Sequence, residues 1–246
     1  MDVVSIALAG LAMLAGGVLK GAVGAGAPVV AVPILVLLFD VPFAVSLFVL
    51  PNLLSNSWQG FQYRRHLGAP RFALIYGLAG AIGAGVGSVM LATLPADNLM
   101  LVVAIAVIGY VVFRLLRPGW KVASGLANRL VFPVGVLGGI LQGAGGISAP
   151  ISVTFLNAMK LERPVFIATI SIFFFAMSIV QIPTLIALGI LTPNQLGLSL
   201  LAFLPLFGGM RVGSWLARHI KAETFDKIVL VLLVVIAARL IWSALA

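Results

Sequence analysis

Gly16-Gly-Val-Leu-Lys-Gly-Ala-Val-Gly-Ala-Gly-Ala-Pro28 and Gly138-Gly-Ile-Leu-Gln-Gly-Ala-Gly-Gly-Ile-Ser-Ala-Pro150 are offset by 122 residues and agree at eight of thirteen positions. The register persists beyond the glycines. At the same offset Asp40 and Pro42 fall on Glu162 and Pro164, and Gln59 falls on Gln181. After a four-residue slip, Gly87-Ser88 falls on Gly213-Ser214 and Ala96-Asp97 on Ala222-Glu223. Self-similarity of this kind marks a duplicated structural unit. Residues 1–120 read as the first repeat, 121–128 as a basic linker beyond helix-ending Pro118 and Gly119, and 129–246 as the second repeat.

The solvent of this chain is hydrocarbon. Hydrophobic residues make up 62% of the 246 positions and charged ones 9%, and the mean hydropathy is +1.23, whereas about a quarter of a soluble domain is charged. Apolar stretches recur along the whole chain, each near the ~20 residues a helix needs to cross a bilayer. The expected fold class is therefore an all-α polytopic membrane protein. Val3 to Leu19 lacks a basic leader and a cleavage signal and reads as part of the fold. Cysteine is absent, which removes disulfides, thiolate nucleophiles and iron–sulfur ligation. The formal charge of +9 is explained by topology signals in cytoplasmic loops, without invoking nucleic acid.

Loop charge sets the relative orientation of the halves. In the first half the loop at Asp40 has no cation, the next carries Arg64, Arg65 and Arg71, and the third holds only Asp97. The second half reads the other way: Lys160 and Arg163, then no cation from Gly189 to Gln195, then Arg218, Lys221 and Lys227. This antisymmetry predicts inverted repeats. Val3–Leu19 and Val29–Phe39 then form a bent, re-entrant pair around a break from Gly21 to Pro28, followed by three full spans. The full spans are expected at 42–63, 72–94, 98–117, 164–190, 196–218 and 224–244, giving ten segments with both termini outside. A parallel arrangement with four spans per half is the alternative.

Broken helices are tolerated in a bilayer only where protein or a water-filled cavity surrounds them, so paired breaks point to a central site. Candidate binding residues on the breaks are Lys20, Gly21, Gly24, Gly26 and Pro28, and Gln142, Gly143, Gly145, Gly146, Ser148 and Pro150. Freed N–H groups at the start of each short helix would face an anion. The plainer reading is that the glycines only let helices approach closely. Lys20, whose counterpart is Gln142, either binds an oxyanion or snorkels to the surface. Asn52, Ser55, Asn56 and Gln59 recur at helical spacing on one face, and Thr169, Ser171, Ser178 and Gln181 form a lighter stripe in the second half. These faces either line a pore or join helices. Arg114, Arg211 and Arg239 are expected to snorkel. All six acidic residues lie at segment ends and neither histidine is mid-span, which points to a uniport-like process driven by the charge of the solute.

The doubled glycine-rich motif, with Val32-Pro33 after its first copy, resembles the sulfite exporter/taurine exporter-like family of membrane permeases over essentially the whole chain. Where family members carry a fuller glycine run, this chain has Gly24-Ala25-Gly26-Ala27 and Gly145-Gly146-Ile147-Ser148. The resemblance implies secondary transport of sulfur-containing or organic anions, such as sulfite or sulfoacetate, across a prokaryotic plasma membrane. No Walker loop, nucleophile elbow or His–Glu metal cluster suggests an enzyme, and no cofactor or metal is expected. The expected partners are a small anion and the lipid bilayer, not nucleic acid, and a homo-oligomer is compatible. The alternatives are a channel or carrier for another organic anion or a neutral solute, and a non-transporting assembly subunit.

Overall fold

The computed structural model describes residues 2–117 and 119–219, with the side chain of Arg114 left aside. The expected span 224–244, with Arg239, Lys221, Glu223, Asp226 and Lys227, lies outside the described residues, as does Pro118. Helices account for all regular structure among the described residues: α1 (Val3–Val23), α2 (Ala27–Leu38), α3 (Val41–Tyr63), α4 (Pro70–Thr93), α5 (Ala96–Leu116), α6 (Ser124–Gly145), α7 (Ala149–Ala158), α8 (Arg163–Ala187) and α9 (Pro193–Leu216). Seven of them are long and apolar enough to cross a membrane, and α2 and α7 are shorter. The fold is that of a polytopic membrane protein.

Local chemistry sets most helix boundaries. Asp2 accepts the Ser5 N–H at 2.7 Å, and hydrogen bonding from the Ser5 hydroxyl and this N–H holds its carboxyl below the ordinary carboxylate range. Asp40 caps α3 through the Phe43 N–H in the same way. Thr192 and Gln195 form a reciprocal capping box at the start of α9. Pro28, Pro42, Pro70, Pro150, Pro164 and Pro193 all sit in first turns, where a missing N–H costs nothing.

One expectation needs correction. The sequence predicts a first helix ending at Leu19 and a break from Gly21 to Pro28. Instead α1 continues to Val23 and is 21 residues long, or ~31 Å. The break is confined to Gly24–Gly26. Gly24 enters the left-handed region (φ +97°) and its N–H closes on the Lys20 carbonyl at 2.7 Å, an αL termination that glycine permits. Gly26 is also left-handed (φ +94°). In the second half α6 runs on to Gly145, and left-handed Gly146 donates to the Gln142 carbonyl at 2.8 Å.

Contact registers fix the helix directions. Gly17 faces Leu206 and Gly209 while Gly21 faces Met210, so α1 and α9 run parallel. Gly135 faces Ala79, Gly139 faces Gly80 and Ala84, and Gly143 faces Gly87 and Ser88, so α4 and α6 run parallel. Gly77 against Ile172 and Gly85 against Val180 make α8 parallel to α4. Ser199 against Leu47 and Trp58 against Phe207 make α9 parallel to α3. Asn52 against Ser178 and Gly60 against Ser171 make α3 and α8 antiparallel. Thus α1, α3 and α9 point one way and α4, α6 and α8 the other. The helices matched by the sequence offset, α1 with α6, α3 with α8 and α4 with α9, point in opposite directions.

These directions sort the charges. Arg64, Arg65, Arg71, Lys121, Arg163 and Arg218 collect at one end of the bundle, and Asp2, Asp40 and Asp97 at the other. Arg211 is exposed near the basic end, 4.9 Å from the Phe207 ring centre.

Backbone contact at glycine distance joins α1 to α9 and α4 to α6. A Cβ on Gly17, Gly21, Gly209 or Gly213 would collide with the opposing backbone of the first pair, and one on Gly83, Gly87, Gly139 or Gly143 with that of the second. This is small-residue packing as used in membranes, where apolar burial supplies little drive. Gly139→Val is expected to destabilise the protein by roughly 1–3 kcal/mol, visible as a lower melting temperature in detergent. Gly109→Val, at a site with nothing within 4 Å, should melt like the parent chain. Equal melting of the two variants would refute the packing assignment.

Candidate functional site

The polar face of α3 is too costly to point at lipid, and it does not. Asn52, Ser55, Asn56 and Gln59 are all buried. The antiparallel crossing of α3 and α8 presses this face on Thr169, Ser171, Ser178 and Gln181, which are buried too. Pro51 interrupts the hydrogen bonding of α3 just before this face. It lacks the N–H that would bond the Leu47 carbonyl, and the Ser199 hydroxyl from α9 donates to that carbonyl at 2.9 Å instead.

Lys20 enters this crossing from the last turn of α1. Its side chain is 2% exposed. It reaches inward, with Nζ donating to Asn56 Oδ1 at 2.7 Å and lying 5.7 Å from the Phe174 ring centre, about half-way along α8. The snorkelling alternative is therefore not the conformation of this side chain. From Asn56 the network continues: Asn56 Nδ2 donates to Asn52 Oδ1 at 2.9 Å, and Asn52 Nδ2 donates to Ser178 Oγ at 3.1 Å. Ser178 Oγ in turn donates to the Phe174 carbonyl at 3.0 Å. One hydrogen-bonded chain thus links α1, α3 and α8.

An ammonium has three donors and no acceptor. Among the described residues, the hydrogen bond of Lys20 Nζ goes to a neutral amide, and every other buried side chain with a polar group is Ser, Thr, Asn, Gln or Tyr. A buried cation without an acid is expensive unless something compensates it. A bound anion would do so.

Gln142, at the position matching Lys20, is 2% exposed. Its backbone carbonyl accepts Gln181 Nε2 at 3.3 Å, while its side-chain oxygen has no partner. Gln59 Oε1, Gln181 Oε1 and Ser171 Oγ are also buried without partners. These unsatisfied groups lie on α3, α6 and α8. An unpartnered amide can turn to offer its NH2 or its oxygen, so it suits an oxyanion or water equally.

The expected residues divide into groups. Lys20, Asn52 and Asn56 form the connected network, with Gln142 and Gln181 paired beside it. Ser55 Oγ donates to the Asn52 carbonyl at 3.3 Å, within its own helix. Gly21 and Gly143 are helical, outside the breaks, and face the backbones of α9 and α4. Gly24 abuts Ile167, Gly26 abuts Leu19, Gly145 abuts Val103, and Gly146 abuts Val32 and Val45. Ser148 Oγ donates to Ser152 Oγ at 2.8 Å. Pro28 is buried at the start of α2, whereas Pro150 is partly exposed and lines a lateral apolar groove with Phe113, Trp120 and Phe155.

Both short helices begin inside the bundle. Gly16 packs against Ala27 and Ala31 at the start of α2, and Gly138 packs against Ser148 and Ser152 at the start of α7. Sequence reasoning missed two contributors. Phe174 lies at the position matching Asn52, and its aromatic identity gave no sign of a cation contact. Arg163, noticed only as a topology signal, donates to the Gly21 and Ala22 carbonyls at 3.4 and 3.0 Å, and Ser214 Oγ donates to Gly21 at 3.2 Å.

No curated protein and no solved structure matches the chain. Residues 8–240, nearly the whole length, match the family described as Sulfite exporter TauE/SafE, a membrane transporter family for sulfur anions, and the chain belongs to it.

Proposed function

We propose that this protein is a secondary permease for small sulfur oxyanions or organosulfonates, binding its substrate at the α3–α8 crossing. Lys20 supplies the charge, and Asn52, Asn56, Gln59, Gln142 and Gln181 supply neutral donors. The observation that carries the reading is the Lys20 ammonium, buried at the centre with one neutral acceptor and no carboxylate among the described residues. A site holding cations or neutral solutes gains nothing from that charge.

The same reading treats the halves as inverted repeats, each a broken pair followed by full spans, in a prokaryotic plasma membrane. The opposed directions of α1 and α6, α3 and α8, and α4 and α9 support inversion. The cations gathered at one end support a cytoplasmic basic face. Substrate would then lie between the repeats, exposed alternately as they rock about it. With a potential of 100 mV, negative inside, exit of a monoanion gains ~2.3 kcal/mol, so export needs no further coupling.

Counterflow of labelled sulfite in proteoliposomes tests the site. Lys20→Ala is expected to reduce flux roughly tenfold or more, since removing one partner of a buried charged contact costs at least ~2 kcal/mol. Gln142→Ala should lower it less. Unchanged flux in both variants, with wild-type amounts of folded protein, would refute the site.

The orientation is tested separately, and the absence of native cysteine makes this direct. In intact cells, a membrane-impermeant maleimide is expected to label Asn194→Cys but not His66→Cys or Lys121→Cys until the membrane is opened. Labelling of His66→Cys alone would reverse the orientation, and equal access to Asn194→Cys and His66→Cys would contradict the arrangement of the halves.

A further inference from the structure

We propose that the central site is built for one negative charge, so that the permease selects monoanions over dianions of the same shape. This rests on Lys20 being the anion-binding group. Among the described residues Lys20 is the sole charged side chain that is buried, and the other fourteen buried polar side chains are neutral. The matching position in the second half holds Gln142 in place of a second cation.

Other sources of positive charge do not make up the difference. Arg163 bonds the end of α1 but is exposed, and so is Arg211, which lies over Phe207. Water screens both. The helix ends cancel as well. At Gly24–Gly26 the negative carboxyl-terminal end of α1 lies beside the positive amino-terminal end of α2, and α6 and α7 repeat this at Gly146–Ser148. Each break therefore adds a dipole but almost no net charge.

A monoanion leaves the buried site electrically neutral. A dianion leaves an uncompensated charge in a medium that solvates it poorly, and the penalty grows steeply with that charge. The remaining oxygens of a sulfonate carry only a share of one charge, which neutral amides can satisfy. Gln59 and Gln142 each hold an unpartnered amide oxygen and can turn to do so, while Gln181 already donates Nε2 to the Gln142 carbonyl. Monosulfonates and singly protonated sulfite are thus the preferred class, ahead of sulfate, fully ionised sulfite and sulfoacetate.

Methanesulfonate and sulfate make the test clean, because they are nearly isosteric and their charges do not change around neutral pH. Binding to the purified full chain in detergent is measured by calorimetry for wild type, Lys20→Gln and Gln142→Lys. Wild type is expected to bind methanesulfonate about tenfold more tightly than sulfate or better, a difference of ~1.4 kcal/mol. Lys20→Gln should lose that affinity, and Gln142→Lys, which adds a second cation, should move the preference toward sulfate.

Comparable wild-type binding of both anions, lost in Lys20→Gln, would overturn the charge preference while leaving the proposed function intact. Binding of either anion unaffected by Lys20→Gln would overturn both. Absence of saturable methanesulfonate binding by wild type would also overturn the preference. If Gln142→Lys does not fold, the wild-type ratio together with Lys20→Gln decides the matter.

Discussion

Hydrocarbon offers no hydrogen bonds, so each backbone group that leaves a helix in this protein must find its partner inside the bundle. Nearly every notable feature follows from how that demand is met at Gly24–Gly26 and Gly146–Ser148. The breaks have to be surrounded, and α1 and α6 can enclose them only by lying tightly against α9 and α4. That closeness requires glycine at Gly17, Gly21, Gly83 and Gly87, where a Cβ would strike a neighbouring carbonyl. The same demand explains Ser199, which satisfies the Leu47 carbonyl that Pro51 abandons. Tight packing around the breaks then squeezes α3 and α8 into the centre, where their polar faces meet.

What that centre can do is a question of electrostatics more than of shape. Its hydrogen-bonded chain passes from Lys20 through Asn56 and Asn52 to Ser178, so the ammonium is held by amides that can themselves rearrange. A carboxylate in this position would have produced a stable internal salt bridge with little call on a ligand. Phe174 supplies a weaker, polarisable contact. The charge is therefore oriented but not neutralised, which is the condition under which an incoming anion gains most.

The fold was largely legible in the sequence because a bilayer restricts the options so strongly. The spans α3, α4, α5, α8 and α9 begin and end within a few residues of where apolar length, proline and charge placed them. The end of α1 was misread because Gly21 resembles Gly24 in sequence. Gly21 serves a neighbouring backbone, and Gly24 a left-handed turn. Only the third dimension separates these demands. The same limit applied to the site. Lys20 and the Asn52–Gln59 face stood out because polarity in a span is costly. Phe174 and Arg163 did not, since an aromatic residue in a span and an arginine at its edge are ordinary there, and their roles depend on which helix lies opposite.

The helices matched by the sequence offset differ in their chemistry, and under the proposed function that difference matters. Position for position, Lys20 matches Gln142, Asn56 matches Ser178, and Asn52 matches Phe174. The first half contributes the charge and two asparagines, and the second contributes glutamines, smaller hydroxyls and an aromatic surface. The tie at the end of α1 is equally one-sided. Arg163 of the second half grips carbonyls of the first, whereas the residue matching Arg163 is Val41, which has no such donor. Under the proposed inverted-repeat arrangement, such one-sided contacts would bias the choice between two access states of otherwise similar energy. The Arg163 contacts tie the end of α1 to the start of α8 at the basic end. Those contacts fall on Gly21 and Ala22, one and two residues beyond Lys20, so loosening them would move the same short stretch of α1 that carries the proposed counter-charge.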